Sequence, residues 1–429
     1  MTHTSNGTSL SQNFIRLAHP ARTPGVIHDY WEHDDFVPAH PDITTPHVKG
    51  HTDLSQETSR DLGSEMSFSW NYNSAHSLYD CELMIHFDQI AAGGGGLDPR
   101  YPDDPIYHIV EECYWEVNGR RMETLHGDKM HFDQLLMEGD ELLARHYALQ
   151  RAGLTVAQRT AIATAPGGFW AIARIPFFFT RNLQHALPAW ALSHDIRFIF
   201  RLRPAAFVLQ DTNGIAPTSV TGSFVCSDSM LRMSVATTAP GQRTHMISKL
   251  TQGMNEFGYR GVTYAVTNEA KTLNNAVAAA DTVQRIDLTQ VTHTCFRGFH
   301  ITRPVLNLVA NYALNDRWVL TPIDRRYMEV DGTRLLPEHQ SDYLIHVENG
   351  NYYSGRTGPA VYTFQFSPTL RGGIELGSTN QARLIITWAA AVGADQMTDV
   401  YGEMHNFMSL VMSPANKSVT VEMAHSNVA

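Results

Sequence analysis

Met66-Ser-Phe-Ser-Trp-Asn-Tyr72, followed shortly by Cys81-Glu-Leu-Met-Ile-His-Phe87, decides the fold class. In both stretches apolar and aromatic residues take alternate positions. Successive side chains of an extended chain point to opposite faces, so this alternation buries one face and wets the other, and aromatic residues suit such a half-buried pleat. The same texture returns at Ile106–Val117, Phe169–Phe179, Ile196–Leu202, Ser229–Val235, Gly261–Val266, Gln284–Leu288, Cys295–Ile301, Tyr343–Val347, Val361–Phe366 and Ala382–Trp388. Gly and Pro mark the loops between them, as at Gly93–Gly96, Gly167-Gly168 and Gly372-Gly373. Only Asp133–Leu154 and Thr244–Phe257 carry the three-to-four apolar spacing of helices.

The strand texture runs twice, on either side of a polar joint, Gln210-Asp-Thr-Asn-Gly-Ile-Ala-Pro-Thr218. Each block has the size of one eight-stranded sandwich with generous loops. The expectation is an all-β chain of two consecutive eight-stranded jelly rolls with loop and short helix insertions. Its parts are an N-terminal arm over 1–34, a first roll over 35–212 and a second over 213–429. From Met1 to about Gly63 neither helical nor strand periodicity is visible. The arm holds too little apolar surface to offset its own ordering entropy, so Phe14, Ile15, Tyr30 and Trp31 are read as anchors for a partner.

Composition narrows the function. The chain of 429 residues has 43 acidic against 32 basic side chains, a net charge of −11, and 43% hydrophobic residues. That apolar share excludes a wholly disordered chain, and the negative balance argues against a protein whose main business is to grip a phosphate backbone. Cys81, Cys113, Cys226 and Cys295 form no closely spaced pair, which favours reduced thiols over a disulfide framework. The polar N-terminus lacks the pattern of a signal peptide, and the longest apolar stretches fall short of the roughly 20 residues of a membrane helix. A soluble protein made in a reducing compartment is expected.

No catalytic constellation emerges. The nucleophile elbow, the His-Glu-x-x-His helix and the Walker loop are missing from the sequence, and Gly93–Gly96 lacks the Lys-Ser/Thr that would meet phosphate, so it reads as a loop tip. The carboxylate pairs Asp103-Asp104 and Glu111-Glu112 sit in or beside a strand, where neighbours face opposite sides, and are read as solvated charge. His33, Asp34, Asp35, His40 and His47, and the pair His126 and His131, have zinc-binding residue types. No His-x-His pair accompanies them, so hydrogen-bonding histidines are the preferred reading. No enzyme activity, cofactor or metal is expected.

Several segments resemble, in order, the major capsid proteins of nucleocytoplasmic large DNA viruses. They are Glu65–Phe87, Tyr107–Gly127, and Ile175-Pro-Phe-Phe-Phe-Thr-Arg-Asn-Leu-Gln-His-Ala-Leu-Pro-Ala-Trp-Ala-Leu192 with the following Ser193–Phe200. In the second block they are Arg285–Ile301 and Pro359–Leu384, where Tyr362, Phe364, Gly377, Asn380 and Arg383 match the family's C-terminal run. Leu376 and Ala382 stand where the family usually has serines, and its aromatic N-terminal run is not visible in Met1–Gly63.

The resemblance implies a double jelly roll and a structural role: a major capsid protein whose homotrimer forms a pseudo-hexagonal capsomer of an icosahedral shell. It implies neighbouring capsomers and minor capsid proteins as partners, above an internal membrane, with synthesis in the host cytoplasm and residence in the virion. Phe177, Phe178, Phe179, Arg181, Trp190, Arg197 and Arg201 are the interface candidates. Two other readings stand beside this one. One is a minor capsid protein of the same virus, the other a double jelly-roll protein that binds or cleaves carbohydrate, with Tyr352-Tyr353 to stack on sugars.

Overall fold

A computed structural model describes residues 48–423, apart from 60, 72–75, 138–139, 182–185, 193, 221–227, 238–261, 273–275, 290, 292–293, 350–359, 367–373, 377–378 and 413–418. The arm and its anchors Phe14, Ile15, Tyr30 and Trp31, the helix expected over Thr244–Phe257 and the Tyr352-Tyr353 pair lie outside the described residues.

The first half is built from β1 (Val48–Ser55), β2 (Glu65–Trp70), β3 (His76–Phe87), β4 (Ile90–Ala91), β5 (Val110–Val117), β6 (Arg120–His126), β7 (Phe169–Arg174), β8 (Ile196–Leu202), β9 (Thr218–Ser219) and β10 (Asp228–Thr237). Among the described residues five α-helices interrupt them: α1 (Pro105–Ile109), α2 (Gly127–Met137), α3 (Asp140–Gln150), α4 (Val156–Thr164) and α5 (Phe178–Arg181). The second half carries β11 (Val262–Lys271), β12 (Ala276–Val277), β13 (Val283–Asp287), β14 (Thr294–Pro304), β15 (Arg325–Val330), β16 (Thr333–Gln340), β17 (Tyr362–Gln365), β18 (Ile374–Glu375), β19 (Ala382–Thr387), β20 (Gln396–Met412) and β21 (Val419–Met423).

Sheet order defines the architecture. β1-β10-β3-β7 and β2-β8-β5-β6 form one pair of antiparallel sheets; β11-β20-β14-β17 and β13-β19-β15-β16 form the other. Among the described residues, setting aside the short β4, β9, β12 and β18 and the last strand β21, the principal strands of each half number eight. In chain order they fall into the sheets 1-8-3-6 and 2-7-4-5, identically in both halves. The fold is therefore a double jelly roll.

The topology moves the expected boundary at 212/213. β10 lies beyond the polar joint, yet it pairs with β1 (Leu231 opposite Leu54) and with β3 (Leu231 opposite Leu83) as the eighth strand of the first roll. The first roll thus runs past the joint to Thr237, because a jelly roll needs its last strand beside its first. The joint itself is no free linker. The Gln210 side-chain oxygen accepts from Arg100 Nε (3.1 Å) and Arg159 Nη1 (3.0 Å), while the Asp211 amide donates to the Tyr312 carbonyl (2.8 Å) of the second roll.

Other local expectations also shift. Ile106–Val117 is not one strand: α1 occupies its start, with Pro105 at the first helical position, where a missing N–H costs nothing. Tyr343–Val347 is helical, as Ser341–Tyr343 runs into a π turn over Leu344–Glu348. β1 lies in the stretch read as irregular, and the single helix expected over Asp133–Leu154 is instead the end of α2 and the whole of α3, which stops at Gln150. α4 opens on a capping box, Thr155 accepting from the Gln158 amide and Gln158 from the Thr155 amide.

Each roll has its own apolar core. Phe68, Phe87, Phe177, Phe198, Phe200 and Trp115 lead the first; Tyr362, Phe364, Leu384, Ile386, Val400 and Met404 lead the second. Cys81, Cys113 and Cys295 are buried free thiols, and burial pushes all three up in pKa.

Candidate functional site: the junction between the rolls

In β14 from Cys295 and in β20 up to Met404 both faces are largely buried, and the reason is the neighbouring roll. His300 and Val400 alternate inward to the second roll's core. Phe299, Ile301, Arg303, Asp399, Tyr401 and Glu403 point the other way, and there α2 covers them. Phe132 and Leu136 of α2 form one apolar cluster with Phe299, Ile301, Val361 and Tyr401. The Phe132 and Phe299 rings meet edge to face at 6.2 Å.

Charges surround this cluster. Asp128, in the first turn of α2, receives Arg203 at 3.0 Å from the first roll, and Arg303 and Arg317 at 3.0 Å from the second. Arg303 also pairs with Asp399, and the Tyr401 hydroxyl lies 3.4 Å from Asp128. One residue on, the fully buried Lys129 ammonium contacts Asp133, Glu403 (2.9 Å) and Glu269 (3.4 Å). Glu269, Glu403 and Arg297 form one cross-strand row of β11, β20 and β14, so sheet register aligns them. The backbone turn that presents Asp128 needs a glycine: a Cβ on Gly127 would sit 2.0 Å from the Val110 carbonyl oxygen and 2.4 Å from that of Tyr107.

The electrostatics follow from burial and neighbours. Burial opposes ionisation of Asp128, but the Arg203, Arg317 and Arg303 charges outweigh it and hold the carboxyl well below the usual carboxylate range. Asp133 goes the other way, pushed up to about 6 by burial and by the Glu403 and Glu269 carboxylates against the pull of Lys129. Burial and the Arg317 charge lower Arg203 to about 10. Such a network fixes orientation more than it adds stability, because desolvation offsets most of the Coulomb gain while a mispaired register would strand a buried charge.

The residues read as interface candidates are placed differently. Phe177, Phe178 and Phe179 are 0%, 1% and 0% exposed and fill the first roll's core. Aromatic surface of that size finds its partner inside the same sandwich, which corrects the expectation of an inter-subunit role for these three rings. Trp190 is half-buried against the same core, and Arg181 closes the short helix Phe178–Arg181. Arg197 and Arg201 stand exposed on the outer face of β8, at 3.0 Å from Glu116 and Glu112 respectively.

Asp104, read as solvated, is fully buried: its carboxylate lies 2.6 Å from His131 Nδ1, which corrects that expectation. His126 turns to Glu269 at 3.4 Å, so the two histidines serve separate clusters. His33, Asp34, Asp35, His40 and His47 lie outside the described residues, and among the described residues no His, Cys, Asp and Glu group has a metal-binding arrangement. Sequence reasoning missed the junction itself, although Phe299, His300 and Ile301 in succession signal a strand covered on both faces.

Two rolls with one strand order, joined through this junction, make the chain a double jelly roll. No protein-family model matches the chain, and no curated protein matches it in sequence. Among solved structures it is similar to the PBCV-1 virus capsid, with a TM-score of 0.66 and 14% identity over 89% of this chain and 97% of that one. It is similar to PBCV-1 VP54 fitted into a reconstruction of the virophage Sputnik, with a TM-score of 0.65 and 15% identity over 89% and 98%. The Faustovirus major capsid protein follows at 0.61 and 9% over 93% and 97%. The likeness runs through both rolls, and at these identities it is a likeness of fold.

Proposed function

We propose that the chain is the structural major capsid protein of an icosahedral large DNA virus. The observation that carries this reading is the likeness to the PBCV-1 capsid over 89% of this chain and 97% of that one. Geometry supports it. Three copies about a threefold axis place six similar rolls in a ring, and a pseudo-hexagonal tile of that kind packs in near-hexagonal arrays. A tile under lateral load must not hinge between its halves, and the charged junction around Asp128 and Lys129 supplies that rigidity.

In this reading the partners are two further copies of the chain, neighbouring capsomers, and minor capsid proteins that the arm Met1–Asp34 reaches above an internal membrane. No nucleic acid is bound directly, no reaction is catalysed, and the protein is made in the host cytoplasm before entering the virion. Arg197, Arg201, Arg181 and Trp190 remain the residues proposed for contacts between subunits. Quantitative mass spectrometry of purified particles tests the assignment: this chain should be the most abundant protein by copy number. A copy number restricted to vertices or seams would instead make it a minor capsid protein.

A further inference from the structure

The junction contains a histidine that the ionic network does not use. His108, on α1, is 0% exposed, and neither ring nitrogen has a hydrogen-bond partner among the described residues. Its ring meets Trp318 of the second roll edge-on at 5.3 Å. Trp318 in turn stacks on His131 at 3.9 Å and donates from Nε1 to the Asp103 carbonyl at 2.8 Å, so this indole is one of the second roll's footholds on the first.

We propose that His108 is an acid-operated release for the junction: on protonation it drives the Arg317–Trp318 segment of the second roll away from α1. The charged groups that act on the ring are Arg317 from the second roll, Arg203 from the segment after β8, and Asp128 and His131 from α2. β5 and β7, which also pack on α1, contribute none of these charges. Asp128 is the sole carboxylate in that set, and it is already shared by Arg203, Arg303 and Arg317. An imidazolium at His108 would add a cation to a site where arginines outnumber their carboxylate, together with a second buried N–H that has no acceptor. His131 differs, because Asp104 stands ready to balance its charge at 2.6 Å. Burial first, then the Arg317 and Arg203 charges, hold His108 well below the ordinary histidine range, so it stays neutral while the junction is closed.

The sign follows from linkage. A histidine that is neutral when folded and ordinary when unfolded binds its proton preferentially in the open state, so stability falls as pH drops below about 6.5. Asp133 responds to acid in the opposite sense, which makes a comparison with a matched variant necessary. The full chain and His108→Phe, which keeps an aromatic edge against Trp318 but cannot titrate, are unfolded with denaturant between pH 7.5 and 5.0. The wild-type unfolding constant, divided by that of the variant, should rise up to about tenfold per pH unit below pH 6.5. Hydrogen exchange should quicken at residues 127–137 and 316–318 in the wild type alone. Should His108→Phe not fold, His108→Gln serves in the same comparison. A ratio that stays flat across the range, or a junction that keeps its protection in the wild type at pH 5.0, overturns the proposal.

Discussion

The first roll's core and the junction between the rolls are both buried, yet they are built from opposite materials. Inside the first roll, Phe177, Phe179 and Phe198 lie within 5.8–6.4 Å of one another with hardly a polar atom between them. At the junction Asp128, Lys129, Arg303 and Glu403 are just as inaccessible. Apolar burial is strong and non-directional, which suits a sandwich whose sheets tolerate small shifts. A charge network contributes less net stability but permits few alternative arrangements. Each roll is held together by area, and the two are held to one another by position.

The sharpest way to break the contrast is Asp128→Ala. It strands Arg203, Arg303 and Arg317 without their shared carboxylate, and should cost about 3–5 kcal/mol in denaturant unfolding. Hydrogen exchange should quicken first at residues 127–137. Phe198→Ala removes a fully buried ring and should cost about 3–5 kcal/mol through lost transfer energy and the cavity left behind. Here the exchange should quicken in the first roll's sheets while the junction stays protected. Identical exchange patterns for the two variants would erase the distinction between area and position.

A smaller effect lies in pH. Asp133 is raised to about 6, so the folded protein takes up a proton there before the unfolded chain does. Stability relative to Asp133→Asn should therefore increase as pH falls from about 6 towards 4. Asp128 and Asp399 are lowered, and their contribution is lost only below about pH 4. A wild-type-to-variant difference independent of pH would remove Asp133 from the network.

The smallest effect on the subunit belongs to the surface. Arg201 is 45% exposed beside Glu65 and Glu112, and Arg201→Glu should cost the folded chain no more than about 1 kcal/mol. Sedimentation is the informative readout for the proposed trimer: weakened association keeps Arg201 at a subunit contact, and unchanged association removes it.

The legible parts of the sequence were those governed by local periodicity. Ile196–Leu202 reads as a strand and is β8, because its alternation faces one core and one solvent side. β10 was legible as a strand but not as the first roll's eighth, since only pairing with β1 and β3 across a long separation shows where it returns. The Phe177–Phe179 run announces burial without saying in which interior. The junction was least legible, as Asp128, Glu269, Arg303 and Glu403 are separated by more than a hundred residues in places and converge only through sheet register.

In the proposed function two locked rolls make one third of a capsid tile. Light scattering on the purified full chain in neutral buffer tests it most directly. The expected mass is three times the 48.0 kDa of the chain, stable on dilution. A monomer at every concentration, above all one that binds glycans, would contradict it.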